Sequence, residues 1–277
     1  MQAKNIKYII AVASGKGGVG KSTVAVNLAL ALAKQGGQVG LLDADIYGPS
    51  QPTLLGTASE RPVFNDKGLQ PIVRYGIPTM SIGYLIDAAT PVVWRGPMLG
   101  KALQQLMQDT EWKDLDYLVV DLPPGTGDVQ LTLCQKLAVS GVLLVTTPQE
   151  VALVDVRRAH AMFTKLNVPI LGVVENMSVY HCPQCHHEER IFGEGGAAKL
   201  AQENGIDLLG ALPLDKAVRE KSDAGHPLMI AEPNSNYANI MNAIAERTIG
   251  KLALQPKDYS AKFPKIVVEQ TKRSHLE

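Results

Sequence analysis

The chain has 277 residues, with 27 Lys and Arg against 27 Asp and Glu, and 45% of its residues are hydrophobic. This apolar share excludes wholesale disorder, and the length suits one large α/β domain or two small ones. Zero net charge argues against unspecific binding to polyanions, so we expect no nucleic-acid partner. No signal-peptide core, no long apolar run and only three cysteines occur, which predicts a soluble, cytoplasmic protein without a membrane partner.

Short apolar runs alternate with helical patterns along the chain. The predicted strands are Tyr8–Ala13, Val39–Leu42, Met80–Ile82, Tyr117–Val120, Val142–Thr146, Ile170–Val174 and Leu208–Leu212. The predicted helices are Val24–Ala33, Met98–Gln108, Val129–Ala138, Val151–Leu166, Gly196–Asn204 and Tyr237–Leu252. Buried strands without period-2 alternation, separated by helices, predict an α/β fold with a mostly parallel central sheet covered by helices on both faces. We predict a single domain over residues 1–254.

Three stretches interrupt this alternation. Gly48–Tyr75 is rich in Pro and Gly, and we expect a small hairpin around Asn65–Gly68. Residues 178–195 lack a periodic pattern and are predicted to be an insertion that carries a Cys-x-x-Cys pair. Residues 255–277 carry five basic and three acidic residues and are predicted to be an extended arm without a basic amphipathic helix.

The strongest motif runs from Gly15 to Ser22 and matches G-x-x-x-x-G-K-[ST] between a predicted strand and a predicted helix. Its glycines let backbone N–H groups point at phosphate oxygens, and the following helix adds its positive dipole end. We expect Lys21 to neutralise the β- and γ-phosphates and the Ser22 hydroxyl to bind Mg²⁺. The motif predicts a P-loop NTPase whose nucleotide contacts are Gly15, Gly17, Gly18, Val19, Gly20, Lys21 and Ser22, together with the adjoining Thr23. It leaves the position of Lys16 free.

Carboxylates follow two of the predicted strands. Asp43 and Asp45 end the second strand, and Asp121 ends a later one, at the edge where open α/β sheets bind ligands. We interpret Asp121 as a Walker B residue that holds Mg²⁺ through water, and Asp43 as a second contributor to the ion's water shell. Residues 123–128 are predicted to form a switch loop that senses the γ-phosphate.

Ser14–Thr23, with its additional Lys16, resembles the deviant Walker A loop of the MinD/ParA/nitrogenase-iron-protein class. The resemblance implies a homodimer in which Lys16 reaches the nucleotide of the partner subunit, and it assigns Asp45 to orienting the attacking water. It also places Asn176 at the adenine, with a backbone contact near Pro213, and so favours ATP over GTP. The predicted catalytic residues are Lys16, Lys21 and Asp45.

The Cys182-Pro183-Gln184-Cys185 pair supplies two thiolates from one tight turn, whereas a [4Fe–4S] cluster or a Cys₄ zinc site needs four. Three interpretations are open: a cluster shared between two chains, a zinc ion completed by a nearby histidine, or a redox dithiol. The candidate histidines are His181, His186 and His187. The dithiol is disfavoured because no strand-to-helix context follows. Cys134 is predicted to be a small core residue.

Residues 5–250 resemble the Mrp/ApbC family of iron–sulfur carrier ATPases. Three segments carry this resemblance besides the P-loop and the cysteine pair: Asp43–Ser50, Val93–Met98 and Glu175–Ser178. The resemblance implies a labile [4Fe–4S] cluster held between two subunits by Cys182 and Cys185 and passed to apo-proteins, with hydrolysis of Mg-ATP. The N-terminal domain and the N-terminal cysteine cluster of some family members are expected to be absent.

Two rival functions lead to different expectations. A MinD/ParA-like positioning ATPase would carry a structural zinc at the cysteine pair and cycle on a membrane or on DNA. An electron-transfer ATPase like the nitrogenase iron protein would place a cluster ligand near Cys134 instead.

Overall fold

The computed structural model describes residues 5–66, 68–86, 102–103 and 105–255. In this part of the chain the strands are β1 (Ile6–Ser14), β2 (Val39–Asp43), β3 (Phe64–Asn65), β4 (Gly68–Leu69), β5 (Ile72–Arg74), β6 (Ile77–Ser81), β7 (Leu115–Asp121), β8 (Gly141–Thr146), β9 (Ile170–Glu175), β10 (Tyr180–His181), β11 (Glu188–Glu189) and β12 (Leu208–Ala211). The helices are α1 (Lys21–Lys34), α2 (Gln51–Leu54), α3 (Asp128–Lys136), α4 (Glu150–Lys165), α5 (Gly196–Asn204), α6 (Lys216–Asp223), α7 (Leu228–Ala231) and α8 (Asn236–Ala253).

The main sheet has eight strands in the order β12-β9-β8-β1-β7-β2-β6-β5. Every neighbouring pair is parallel except β5 and β6, which are antiparallel. After β1, the chain first adds β2, β5 and β6 on one side of it and then inserts β7 between β1 and β2. It adds β8, β9 and β12 on the other side. This reversal creates a crevice at the carboxyl ends of the central strands, where such sheets bind ligands.

Helices cover both faces of this sheet. One hydrophobic core lies under α1 and α8 and includes Leu28 and Met241. The other lies under α4 and α5 and includes Phe163 and Leu200. The inner strands β2 and β8 are buried along their whole length because side chains on both of their faces meet helices.

The predicted α/β fold, with a mostly parallel sheet between two helical layers, is confirmed, and so is the hairpin near Asn65, which β3 and β4 form. The predicted strand Met80–Ile82 lies earlier, at Ile77–Ser81, because Ile82 already starts a short 3₁₀ turn. The helices α2, α6 and α7 and the antiparallel strand β5 were not predicted. These elements are too short to show a hydrophobic period.

Some predicted features lie outside the described residues. These are Val93–Met98, part of the predicted helix Met98–Gln108, and the arm from residue 256 onwards; residues 102–103 and 105–108 are helical. In the part of the chain that the structure describes, no helix is long and apolar enough to cross a membrane.

Candidate functional site

The phosphate loop, Gly15–Ser22, connects β1 to α1 and is held by close packing. A Cβ atom on Gly15 would overlap the backbone of Asp155 in α4, and one on Gly20 would overlap the Asn176 amide. Gly18 and Gly20 also have φ of +80° and +83°, a conformation that side chains disfavour. Close packing therefore requires a glycine at position 15, and the backbone conformation favours one at position 18. Both reasons apply at position 20.

A pocket of about 240 Å³ opens beside this loop. It is lined by Ser14, Lys16, Gly17, Gly18, Gly20, Lys21, Ser22, Thr23, Asp45, Ser50, Leu54 and Pro124. The structure thus brings most of the predicted nucleotide contacts together with Asp45. Pro124 belongs to the predicted switch loop, whose Gly125 N–H donates to the Ser14 carbonyl at 3.0 Å.

Lys21 is the buried cation of this pocket, with 6% of its side chain exposed. Its ammonium group pairs with Asp121 and lies 3.4 Å from Asp45. Burial lowers the pKa of Lys21, but the charges of Asp121 and Asp45 outweigh it and hold that pKa above its ordinary value. Lys21 is therefore charged and available to phosphate oxygens.

Asp43 is fully buried at the end of β2, directly opposite Asp121 in the register of β7. Its Oδ1 accepts the Asp45 N–H at 3.1 Å, and its Oδ2 accepts the Gln51 N–H at 3.1 Å and the Ser81 hydroxyl at 3.0 Å. Burial and the nearby Asp121 charge raise the pKa of Asp43 to about 7. Asp43 thus orders the loop that follows β2, and its role in the Mg²⁺ water shell stays a prediction.

Gln51 is a site residue that the sequence did not reveal. Its amide donates to the Ser22 carbonyl at 3.0 Å and to Asp121 Oδ2 at 2.8 Å. Gln51 begins α2 directly after the Gly48-Pro49-Ser50 turn, which is the only local signal for its position. A sequence motif gives no reason to place this glutamine against a strand end 70 residues away.

The donor set around Lys21 fits Mg²⁺. Three carboxyl groups, those of Asp43, Asp45 and Asp121, are buried near one ammonium group, and Asp45 Oδ1 is buried without a hydrogen-bond partner. Burial also raises the pKa of Asp45, by more than the nearby Lys21 charge lowers it. Hard oxygen ligands are those that Mg²⁺ prefers. With Ser22 and Asp121 as the residues that would hold it, the bound ion would supply charge neutralisation for phosphate oxygens.

Lys16 is half-buried at the pocket wall, and the Ser14 hydroxyl donates to its backbone carbonyl at 2.8 Å. Its reach toward a partner subunit stays a prediction.

Asn176 and Pro213 lie in neighbouring segments that are joined by hydrogen bonds. The Leu212 N–H donates to the Glu175 carbonyl at 2.8 Å, and the Ser178 N–H donates to the Leu212 carbonyl at 2.9 Å. The Asn176 side chain donates to the Val19 carbonyl at 2.9 Å and so supports the phosphate loop. Its contact with adenine stays a prediction.

The cysteine hairpin, Tyr180–Glu189, carries Cys182 and Cys185 at its turn. β10 and β11 pair through Tyr180 with Glu189 and His181 with Glu188. The backbone N–H groups of Cys185 and Gln184, together with the Cys185 thiol, hydrogen-bond to the Cys182 sulfur and lower the pKa of that thiol. Cys182 is partly exposed and Cys185 is exposed. The turn therefore places both cysteine sulfurs at or near the surface.

Within the described residues, no group of three or more His, Cys, Asp and Glu side chains is placed to hold one metal ion, and this includes the three carboxyl groups near Lys21. A Mg²⁺ ion there would take most of its ligands from water and phosphate, as is usual for this ion. The described residues therefore contain no zinc site in which a histidine of the same chain completes the cysteine pair. Cys134 is a core residue, as predicted: it is 7% exposed, and burial raises the pKa of its thiol to about 11.

The fold and the phosphate loop define the class of this protein: it is a P-loop NTPase with a mostly parallel sheet. A family model described as "NUBPL iron-transfer P-loop NTPase" matches residues 5–249. The chain belongs to this family.

Named relatives are similar over most of their length. An iron-sulfur cluster carrier protein of Pseudomonas fragi is 56% identical over 243 residues, which cover 87% of this chain and 85% of that protein. The iron-sulfur cluster transfer protein NUBPL of Mus musculus is 47% identical over 256 residues, 92% of this chain and 80% of that protein.

Solved structures share the fold. The ADP complex of a nucleotide-binding protein from Archaeoglobus fulgidus matches with a TM-score of 0.74 and 39% identity, over 84% of this chain and 91% of that one. The cell division ATPase MinD of Pyrococcus furiosus has a TM-score of 0.64 at 24% identity, over 89% and 99%, and supports the fold alone.

Proposed function

We propose that this protein is a cytoplasmic Mg²⁺-dependent ATPase that carries a [4Fe–4S] cluster between two copies of itself and delivers it to apo-proteins. The observation that carries the proposal is the cysteine hairpin, because it presents two sulfur ligands at the surface where a cluster needs four. A second chain related by a twofold axis supplies the other pair. The relatives named as cluster carriers and transfer proteins support the same assignment.

The ATPase half of the proposal uses the pocket beside the phosphate loop, within a single domain over residues 1–254. Lys21 turns from Asp121 and Asp45 to the β- and γ-phosphates, which leaves the Asp45 carboxylate free to orient the attacking water. Lys16 of the partner subunit stabilises the charge that develops on the transferred phosphoryl group. Asn176 and the backbone near Pro213 face the adenine.

Exposed apolar side chains support the dimer. Tyr47 follows Asp45 by two residues, Val154 precedes Asp155, which packs on Gly15, and Ile191 follows the cysteine hairpin; all three are exposed. We infer that these side chains supply apolar surface to the proposed interface. In the proposed dimer the partner chain covers these side chains.

Two adjacent residues connect the phosphate loop to the segment that carries the cysteines. Asn176 holds the Val19 carbonyl, while the buried Glu175 carboxylate accepts the Ala197 N–H at 2.8 Å, at the start of α5. The cysteine hairpin lies between these anchors in sequence. Rearrangement around the γ-phosphate therefore has a short route to the cluster ligands.

The test is anaerobic reconstitution with iron and sulfide. We expect about 4 Fe per dimer and the visible absorbance of a [4Fe–4S] cluster. Cys182→Ala or Cys185→Ala should lose both, whereas Cys134→Ser, which changes a buried thiol, should keep them. A Cys182→Ala protein that holds iron at the wild-type level, or a strictly monomeric protein in the presence of nucleotide and iron, would refute the carrier assignment.

A further inference from the structure

Gln51 is a buried amide beside the nucleotide pocket, next in sequence to the lining residue Ser50, and only 1% of it is exposed. Its two amide hydrogens are used by the Ser22 carbonyl and by Asp121 Oδ2. The other oxygen of Asp121 pairs with Lys21, so both oxygens of that carboxylate are held. Gln51 therefore fixes the orientation of the Walker B carboxylate.

The amide oxygen of Gln51 has no partner. Gln51 Oε1 is buried without a hydrogen bond, as are Asp45 Oδ1 and Ser50 Oγ in the same part of the chain. The opposite orientation of the amide is excluded chemically, because it would put Oε1 against two acceptors, the Ser22 carbonyl and the Asp121 carboxylate. A buried acceptor without a donor is costly, so this atom indicates a ligand that donates hydrogen bonds.

We propose that Gln51 is a positioning residue for the Mg²⁺ that accompanies the nucleotide. Its amide nitrogen fixes Asp121, and its Oε1 accepts a hydrogen bond from a water molecule of the ion. Hydrated Mg²⁺ suits the site because the ion keeps several of its waters and those waters are donors. The inference rests on the ATP-binding half of the proposed function and does not depend on the cluster.

The experiment separates Mg²⁺-dependent from Mg²⁺-independent nucleotide affinity. ADP and a non-hydrolysable ATP analogue are titrated by calorimetry in excess EDTA and in Mg²⁺, and the ratio of the two affinities is the magnesium gain. Gln51→Met keeps the length of the side chain and removes its polar atoms. We expect its magnesium gain to fall by about 10- to 100-fold, the usual effect of losing an outer-shell partner, while its affinity in EDTA changes little.

Two further variants distinguish positioning from folding. Gln51→Glu keeps an acceptor but loses both donors, so it should lose less magnesium gain than Gln51→Met. Its affinity in EDTA should fall, because a second carboxylate lies beside Asp121 and adds negative charge next to the phosphate site. Gln70→Met is the matched control, since the Gln70 amide also donates to a carboxylate, that of Glu111, outside the pocket. Its magnesium gain should equal that of the wild type.

A Gln51→Met protein with the wild-type magnesium gain overturns the inference. So does an equal loss of gain in Gln51→Met and Gln51→Glu accompanied by lower melting temperatures, since that pattern indicates a purely structural role. In both cases a wild-type protein that binds the ATP analogue more tightly with Mg²⁺ leaves the proposed ATPase intact. A wild-type protein without any magnesium gain refutes both.

Discussion

The nucleotide pocket and the cysteine hairpin are opposite kinds of site. In the pocket, Lys21, Asp43 and Asp121 are buried and their positions are set by several hydrogen bonds or ion pairs. In the hairpin, Cys182 and Cys185 lie at the surface on a two-strand ladder of two residue pairs. The first site is preorganised by the core, whereas the second stays open to a partner. Buried side chains with several bonds make the pocket sensitive to substitution, and the two cysteines of the hairpin are not of this kind.

The largest expected effect comes from removing the buried cation. Lys21→Met leaves Asp121 and Asp45 without their partner in a buried site, and breaking a buried ion pair costs about 3–5 kcal/mol of unfolding free energy. Urea unfolding of the nucleotide-free protein measures it, and ATP hydrolysis should also be lost. Lys16→Met, which removes a half-buried lysine, is the control. Equal stability of the two variants would show that the pocket is not a buried ionic site.

A smaller effect is expected from one methyl group in the phosphate loop. Gly15→Ala forces Cβ into the backbone of Asp155 and Val156, and overpacking of this kind costs about 1–3 kcal/mol. Gly17→Ala is the matched control, because a Cβ there meets nothing within 4 Å. Thermal unfolding without nucleotide compares the two, and the packing argument is contradicted if both variants melt together.

The third expectation concerns pH. The pKa of Asp43 is raised in the folded chain, to about 7, so the folded state retains a proton that the unfolded chain, with an ordinary pKa of 3.8, releases. Stability from this group is fully present below the unfolded pKa and is lost as pH rises toward 7. Unfolding free energies of the nucleotide-free protein should therefore fall between pH 5 and pH 7.5, with a shallower slope in Asp43→Asn. Parallel slopes would show that Asp43 is not the group that retains the proton.

The smallest effect is expected at the hairpin. Cys182→Ser changes a partly exposed thiol at the turn of the hairpin, so the urea midpoint of the cluster-free protein should not change measurably. Cys134→Ser, which places a hydroxyl in the core, should lower that midpoint. If Cys182→Ser unfolds as early as Cys134→Ser, the hairpin contributes to the core and the contrast between the two sites is lost.

Much of the pocket could be predicted because its information is local. The G-x-x-x-x-G-K-[ST] run specifies the phosphate loop, and a carboxylate after a buried apolar run marks Asp43 and Asp121. Gln51 could not be found in this way, because its importance comes from meeting Asp121 across the sheet edge. Glu175 was missed for the same reason, since its partner Ala197 lies beyond the cysteine insertion. Short helices such as α6 escaped because two turns give too little periodicity.

The anchoring of the cysteine segment has a consequence for its evolution. Ser178 is tied to Leu212 at one end, and Gly195 leads at the other into the helix whose first turn Glu175 holds. Both ends of the segment are therefore bonded to the body of the fold, and the residues between them can change in evolution without disturbing it. Loops of different length can be accommodated there while the carboxyl edge of the sheet keeps its shape.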